Sequence, residues 1–98
     1  MNSLCTEIIK RNSAYKHFIY RFEDRGISEL IGIDELLREV RDRLCRGEYE
    51  QDSKHKGIEG PRYRVKVPVN GRMIVVVVEK TNTCYVPITL WSTSVQDL

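Results

Sequence analysis

His17, Arg21 and Arg25 follow one another in steps of four residues. On a helix turning about 100° per residue, that spacing sets them along one stripe at about 0°, 40° and 80°. Guanidiniums fork onto phosphate oxygens, and an imidazole moves a proton near neutral pH. The trio therefore carries the chemistry needed to grip an RNA phosphate and to act as base or acid when a ribose hydroxyl attacks it. The plainer reading is a solvated helix face, with Arg21 paired to Glu23 or Asp24 and Arg25 answering the dipole at the helix C-terminus. From spacing alone the plainer reading is the commoner.

A second basic set has a different period. Arg62, Arg64 and Lys66 alternate with Tyr63, Val65 and Val67, and Arg72 follows shortly after. Alternation puts the three cations on one face of a strand. Facing solvent, they offer a nucleic-acid backbone a row of charges that gives affinity without reading sequence. Equally, they keep a sheet soluble and discourage edge pairing.

Three further residues join the substrate-binding and catalytic candidates. Thr89 has a hydroxyl that orients a phosphate, and Trp91 an indole that stacks on a base or simply fills a core. His55, in Asp52-Ser-Lys-His-Lys-Gly57, either closes over a substrate or stays a surface residue. Glu48, Glu50 and Glu59 are reserve general bases. The three cysteines, Cys5, Cys45 and Cys84, are isolated and odd in number, so the spacing signals neither a disulfide framework nor a zinc site. No phosphate-binding glycine loop or zinc-hydrolase motif occurs, and neither a cofactor nor a metal is expected.

These residues need elements to hold them. Ser13 to Gly26 reads as a helix, with an N-cap residue at one end, a left-handed stop at the other, and Tyr15, Phe18, Ile19 and Phe22 as its buried stripe. Before it, Cys5 to Ile9 reads as a short strand or an extra helical turn, with the helical turn preferred. A second helix runs from an Asp34 cap to Gly47, with Leu36, Leu37, Val40 and Leu44 at helical spacing. Glu48 to Pro61 has no period and reads as a long exposed loop. Then come a half-buried strand to Val69, an Asn70-Gly71 hairpin turn, a central strand from Arg72 to Glu79, a turn over Lys80 to Thr83, and an edge strand from Cys84 to Trp91 containing Pro87. The expected fold is α+β: two N-terminal helices packed on a three- to four-stranded antiparallel sheet, with consecutive strands side by side.

Composition bounds the rest. The 98 residues, 41% hydrophobic and 31% charged, suit one globular domain spanning the whole chain. A core this small points to stability shared with a second copy, as a homodimer, or with a binding partner. Sixteen Lys and Arg against 14 Asp and Glu leave a net charge of +2, so distribution rather than total charge must identify any anionic partner. The longest apolar run, Met73 to Val78, is six residues, and no leader pattern opens the chain. A cytoplasmic protein without a membrane segment is expected.

The stretch His17-Phe-Ile-Tyr-Arg21-Phe-Glu-Asp-Arg25-Gly26-Ile27-Ser28 resembles the opening motif of a bacterial family of small proteins catalogued only as a domain of unknown function, with one extra spacer residue. Leu44 to Glu48 is similar to that family's helix end, Pro61-Arg62-Tyr63 to its first sheet strand, and Ile88 to Trp91 to its last. The resemblance covers about residues 15–91, and Glu29 to Asp34 stands out from it as an insertion. It implies an α+β fold similar to the RelE and colicin-type ribonuclease superfamily, where metal-free RNA cleavage is common. His17 would then be base or acid, Arg21 and Arg25 phosphate clamps, and Arg62 and Thr89 assistants from the sheet.

The leading expectation is a toxin-like, metal-independent endoribonuclease that binds RNA and is held by a cognate antitoxin. The alternative is a non-catalytic protein- or nucleic-acid-binding module that uses the same arginine stripe. A third reading is an antitoxin or a capsid-associated accessory protein.

Overall fold

The computed structural model describes residues 13–52, 60–81 and 84–94. The turn expected at Cys5 to Ile9, His55 and Glu59 of the charged loop, and Asn82 and Thr83 of the last turn lie outside the described residues.

Helix α1 spans Ser13–Asp24 and buries Phe18 and Phe22. Tyr15 and Ile19 pack beside them, completing the expected stripe. The backbone turns out of the helix at Gly26, whose φ of 72° lies in the left-handed region that lacks a Cβ penalty only for glycine. A short 3-10 turn, Ile27–Glu29, then drops Ile27 into the core.

Helix α2 spans Ile33–Cys45, and Leu36, Leu37, Val40 and Leu44 are buried as their spacing predicts. Its first residue corrects the expected cap. Gly32 in extended conformation precedes the helix and makes no side-chain cap bond, while Asp34 and Glu35 lie inside the first turn. Ile33 packs against the core, which draws the start of the helix one residue ahead of Asp34. There both carboxylates meet the positive end of the helix dipole.

Four strands, β1 (Glu50–Gln51), β2 (Arg62–Val69), β3 (Arg72–Lys80) and β4 (Tyr85–Ser94), form one antiparallel sheet in the order β1-β2-β3-β4. The α+β class is therefore observed. Strand β1 corrects the reading of Glu48 to Pro61 as loop throughout: Glu50 pairs with Arg64 and Gln51 with Tyr63. The Asp52 N–H extends this contact by donating to the Arg62 carbonyl at 2.8 Å. Strand β4 also runs three residues beyond Trp91. Asn70 and Gly71, at φ 48° and 80°, make the tight turn that joins β2 to β3.

Alternation sorts the strands into two faces. Val65, Val67, Ile74, Val76, Val78 and Leu90 share one core cluster with Phe18, Phe22, Leu36 and Val40, so both helices cover that face. The opposite face carries Arg62, Arg64 and Lys66 of β2, Val75, Val77 and Glu79 of β3, and Thr89 and Trp91 of β4. A register shift near Val77 and Val78 inserts one unpaired residue, Ile88, into β4. It lets both Tyr85 and Leu90, five residues apart, face the helices. No helix among the described residues is long and apolar enough to cross a membrane.

Candidate functional site

The core stripe of α1 dictates what its outer side presents. With Phe18 and Phe22 turned inward, Lys16, His17, Tyr20, Arg21, Glu23 and Asp24 are exposed. Tyr20 is 66% exposed, a large aromatic ring left in water between Lys16, one turn earlier, and the Arg21 side chain. Among the described residues, the side chains of Lys16, His17, Tyr20 and Arg21 make no hydrogen bond, ion pair or ring contact. The pairing of Arg21 with Glu23 or Asp24 considered from sequence is not made.

Arg25 is engaged differently. Its Nη1 donates to the carbonyl oxygen of Leu90 at 2.6 Å. The ladder explains why that oxygen is available. The two-residue turn makes Val69 and Arg72 a hydrogen-bonded pair, and alternation from there turns the Val76 backbone toward Val65 on β2. Leu90, which sits opposite Val76, must then direct its own N–H and C=O out of the edge of β4. Arg25 thus caps an edge acceptor while its exposed guanidinium stays beside the helix stripe.

The strand cations share a face as their period requires, yet two carboxylates of the same chain stand among the three of them. Arg62 Nε meets Glu79 Oε1 at 3.1 Å directly across the β2–β3 pair. Lys66 Nζ meets Glu50 Oε1 at 2.9 Å, and Arg64 Nη2 lies 3.9 Å from Glu50 Oε2. The Lys66 ammonium, by hydrogen bond and by charge, holds the Glu50 carboxyl below its ordinary pKa, with Arg64 adding to the effect. Cross-strand neighbours in register then line up Lys66, Val75 and Trp91 in one row, and Glu50, Arg64, Val77 and Thr89 in the next. Trp91 is half-buried, as is Thr89.

The two basic sets do not converge. His17, Arg21 and Arg25 belong to the side of the sheet that the helices cover, whereas Arg62, Arg64, Lys66, Thr89 and Trp91 project from the other. The expected single pocket combining His17 with Arg62 and Thr89 is therefore not formed. Sequence reasoning passed over Lys16 and Tyr20. Their signal lay in the spacing already used, since residues 16 and 20 are one helical turn apart and flank the His17–Arg21 stripe. No group of three or more His, Cys, Asp or Glu among the described residues has metal-site geometry.

Compared with known family profiles, curated proteins and solved structures, the chain matches none.

Proposed function

We propose that the protein is an RNA-binding module that lays the phosphate backbone along the outer face of α1. Lys16, Arg21 and Arg25 supply charge, His17 adds a titratable donor, and Tyr20 offers a ring on which a base stacks. The observation carrying this reading is the contrast in pairing. Arg62, Arg64 and Lys66 face carboxylates of the same chain, while Lys16, His17 and Arg21 have no such counter-charge among the described residues. An unneutralised cation row around an exposed aromatic ring is suited to a polyanion carrying flat bases.

Binding, rather than cleavage, is the function this arrangement favours. In-line attack on a phosphate needs a base, an acid and charge-stabilising groups around one oxygen-bearing centre. His17 stands on the outward side of a helix with Thr89 and Arg62 beyond the sheet. The toxin-like ribonuclease expected from the resemblance would add a cleavage step to the same surface.

One experiment separates the two. A fluorescently labelled 20-nucleotide single-stranded RNA is titrated with protein in EDTA, then recovered and run on a denaturing gel. Retarded tumbling with intact RNA is expected, weakened several-fold by Tyr20→Ala and Arg21→Ala. RNA cut by the wild type but left whole by His17→Ala would replace the binding module with the nuclease. Unchanged polarisation at all protein concentrations would remove both.

A further inference from the structure

On the other side of the molecule, where α2 gives way to β1, lies a groove of about 220 Å³. Arg43, Glu48, Tyr49, Glu50, Arg64 and Lys66 line it. It forms because β1 begins only at Glu50, opposite Arg64. Strand β2 continues past Arg64 with no strand on that side among the described residues, and the segment leaving α2 borders the gap. Nothing in the α1 surface contributes to it, so a ligand held in this groove is independent of the RNA-binding reading.

Three cations and two carboxylates share this groove, and their pairing is uneven. Arg43 Nη1 bonds Glu39 Oε2 at 2.6 Å, and Glu48 is drawn to Arg46 at 2.7 Å. That leaves Glu50 between Lys66 and Arg64. It reaches the first at 2.9 Å and stays 3.9 Å from the second, beyond hydrogen-bond range. Arg64 Nε is meanwhile buried and has no acceptor at all. Native proteins leave very few buried N–H groups in that state, and a guanidinium edge with an empty Nε matches an anion that presents two oxygens side by side.

We propose that this groove is a phosphate-monoester site, with Arg64 as the fork, Lys66 as the second cation and Glu50 as an internal occupant that the phosphate displaces. Once Glu50 has swung aside and the covered edge of Arg64 has opened, the tetrahedral dianion supplies the acceptor that Arg64 Nε lacks and still satisfies Lys66. Its charge exceeds that of the single carboxylate it replaces. Glu50, half-exposed at the rim, has water to move into. The volume falls below the roughly 300–1,000 Å³ of pockets that swallow drug-sized ligands. The phosphate and its first attached group therefore enter, with Tyr49, 39% exposed, as the organic-side wall. A free sugar phosphate and the terminal phosphate of an oligonucleotide both present this chemistry.

The test is a titration followed through the Arg64 Nε–H resonance by proton–nitrogen NMR at constant ionic strength. Its probes are inorganic phosphate, ribose 5-phosphate, and a trinucleotide with a 5′-phosphate set against its 5′-hydroxyl twin. Saturable binding is expected, about tenfold tighter in Glu50→Gln because a like charge at the site is removed. In Arg64→Lys, which keeps the charge but loses the fork, binding should be about tenfold weaker, followed through the Glu50 and Tyr49 backbone resonances. Ribose 5-phosphate binding as well as the 5′-phosphorylated trinucleotide assigns the site to small phosphates, and a clear preference for the trinucleotide assigns it to nucleic-acid ends. Equal affinity in wild type and Glu50→Gln, indifference to Arg64→Lys, or shifts no larger than those given by chloride would each overturn the proposal.

Discussion

Removing Arg21 should change not only how tightly RNA is held but how steeply that affinity depends on salt. Each phosphate neutralised on a single strand releases counterions and contributes a slope of about −0.7 to log K against log salt. Lys16, Arg21 and Arg25 are the lasting cations of the α1 surface, so the wild-type slope should be about −2. Between 50 and 200 mM salt that amounts to roughly a fifteenfold loss of affinity. Arg21→Ala should bring the slope to about −1.4 and the loss to roughly sevenfold. The control is Arg41→Gln. Arg41 is also basic and partly open to solvent, but it lies on α2 with Asp42 Oδ1 at 3.4 Å, and its removal should leave the slope unchanged. Fluorescence polarisation at four salt concentrations, with folding checked by circular dichroism, measures all three proteins. If Arg41→Gln flattens the line as much as Arg21→Ala, the RNA is reading total charge and the pairing argument fails.

Three other outcomes rest on the packing and electrostatics. Phe18→Ala should cost about 3–5 kcal/mol by urea denaturation, because the ring is fully buried between the helices and the sheet. Gly60→Ala should cost about 1–3 kcal/mol, since a Cβ there would run into the Lys80 carbonyl oxygen; an unchanged midpoint would show that the strand ends separate freely. A carbon-NMR titration should find Glu50 below the ordinary carboxyl pKa of 4.5 and returned toward it in Lys66→Met. A depressed folded pKa means that the Glu50–Lys66 contribution is present above the unfolded value and lost as pH falls through the folded one. A native titration in the ordinary range would contradict that ion pair.

Much of the scaffold was legible from residue types because it depends on local rules. The 3.6-residue recurrence of Leu36, Leu37, Val40 and Leu44 and the alternation through Tyr63 to Val69 leave little choice of element. Asn70-Gly71 needs no tertiary help to turn. Strand β1 was invisible for the opposite reason. Two residues have no period, and Glu50 and Gln51 are extended only because Arg64 and Tyr63 lie alongside them. The Gly32 start of α2 is likewise a tertiary choice made by Ile33. The separation of the two basic sets, by contrast, was already implicit. Alternation that opposes Arg64 and Lys66 to Val65 and Val67 also opposes them to any helix covering the valines. Expecting His17 to meet Arg62 asked the sheet to be transparent. The outward placing of Tyr20 comes from the same angular arithmetic that buries Phe18, applied to the side of α1 where no core residue falls.

The extra residue in β4 gives the molecule an unequal tolerance for changes in length. Ile88 acts as a frame-shift within the strand, keeping Tyr85 and Leu90 on the same side although an odd count separates them. Excising it would restore an unbroken ladder with the same pairs, Tyr85 opposite Lys80 and Leu90 opposite Val76, because the four residues then separating them return to the same face by regular alternation. A lineage of such chains could therefore lose this one residue without disturbing the core, whereas losing two between Tyr85 and Leu90 would turn Leu90 out and Trp91 in. Once the spare residue is gone, the parity of that count decides which surface of the domain is its inside.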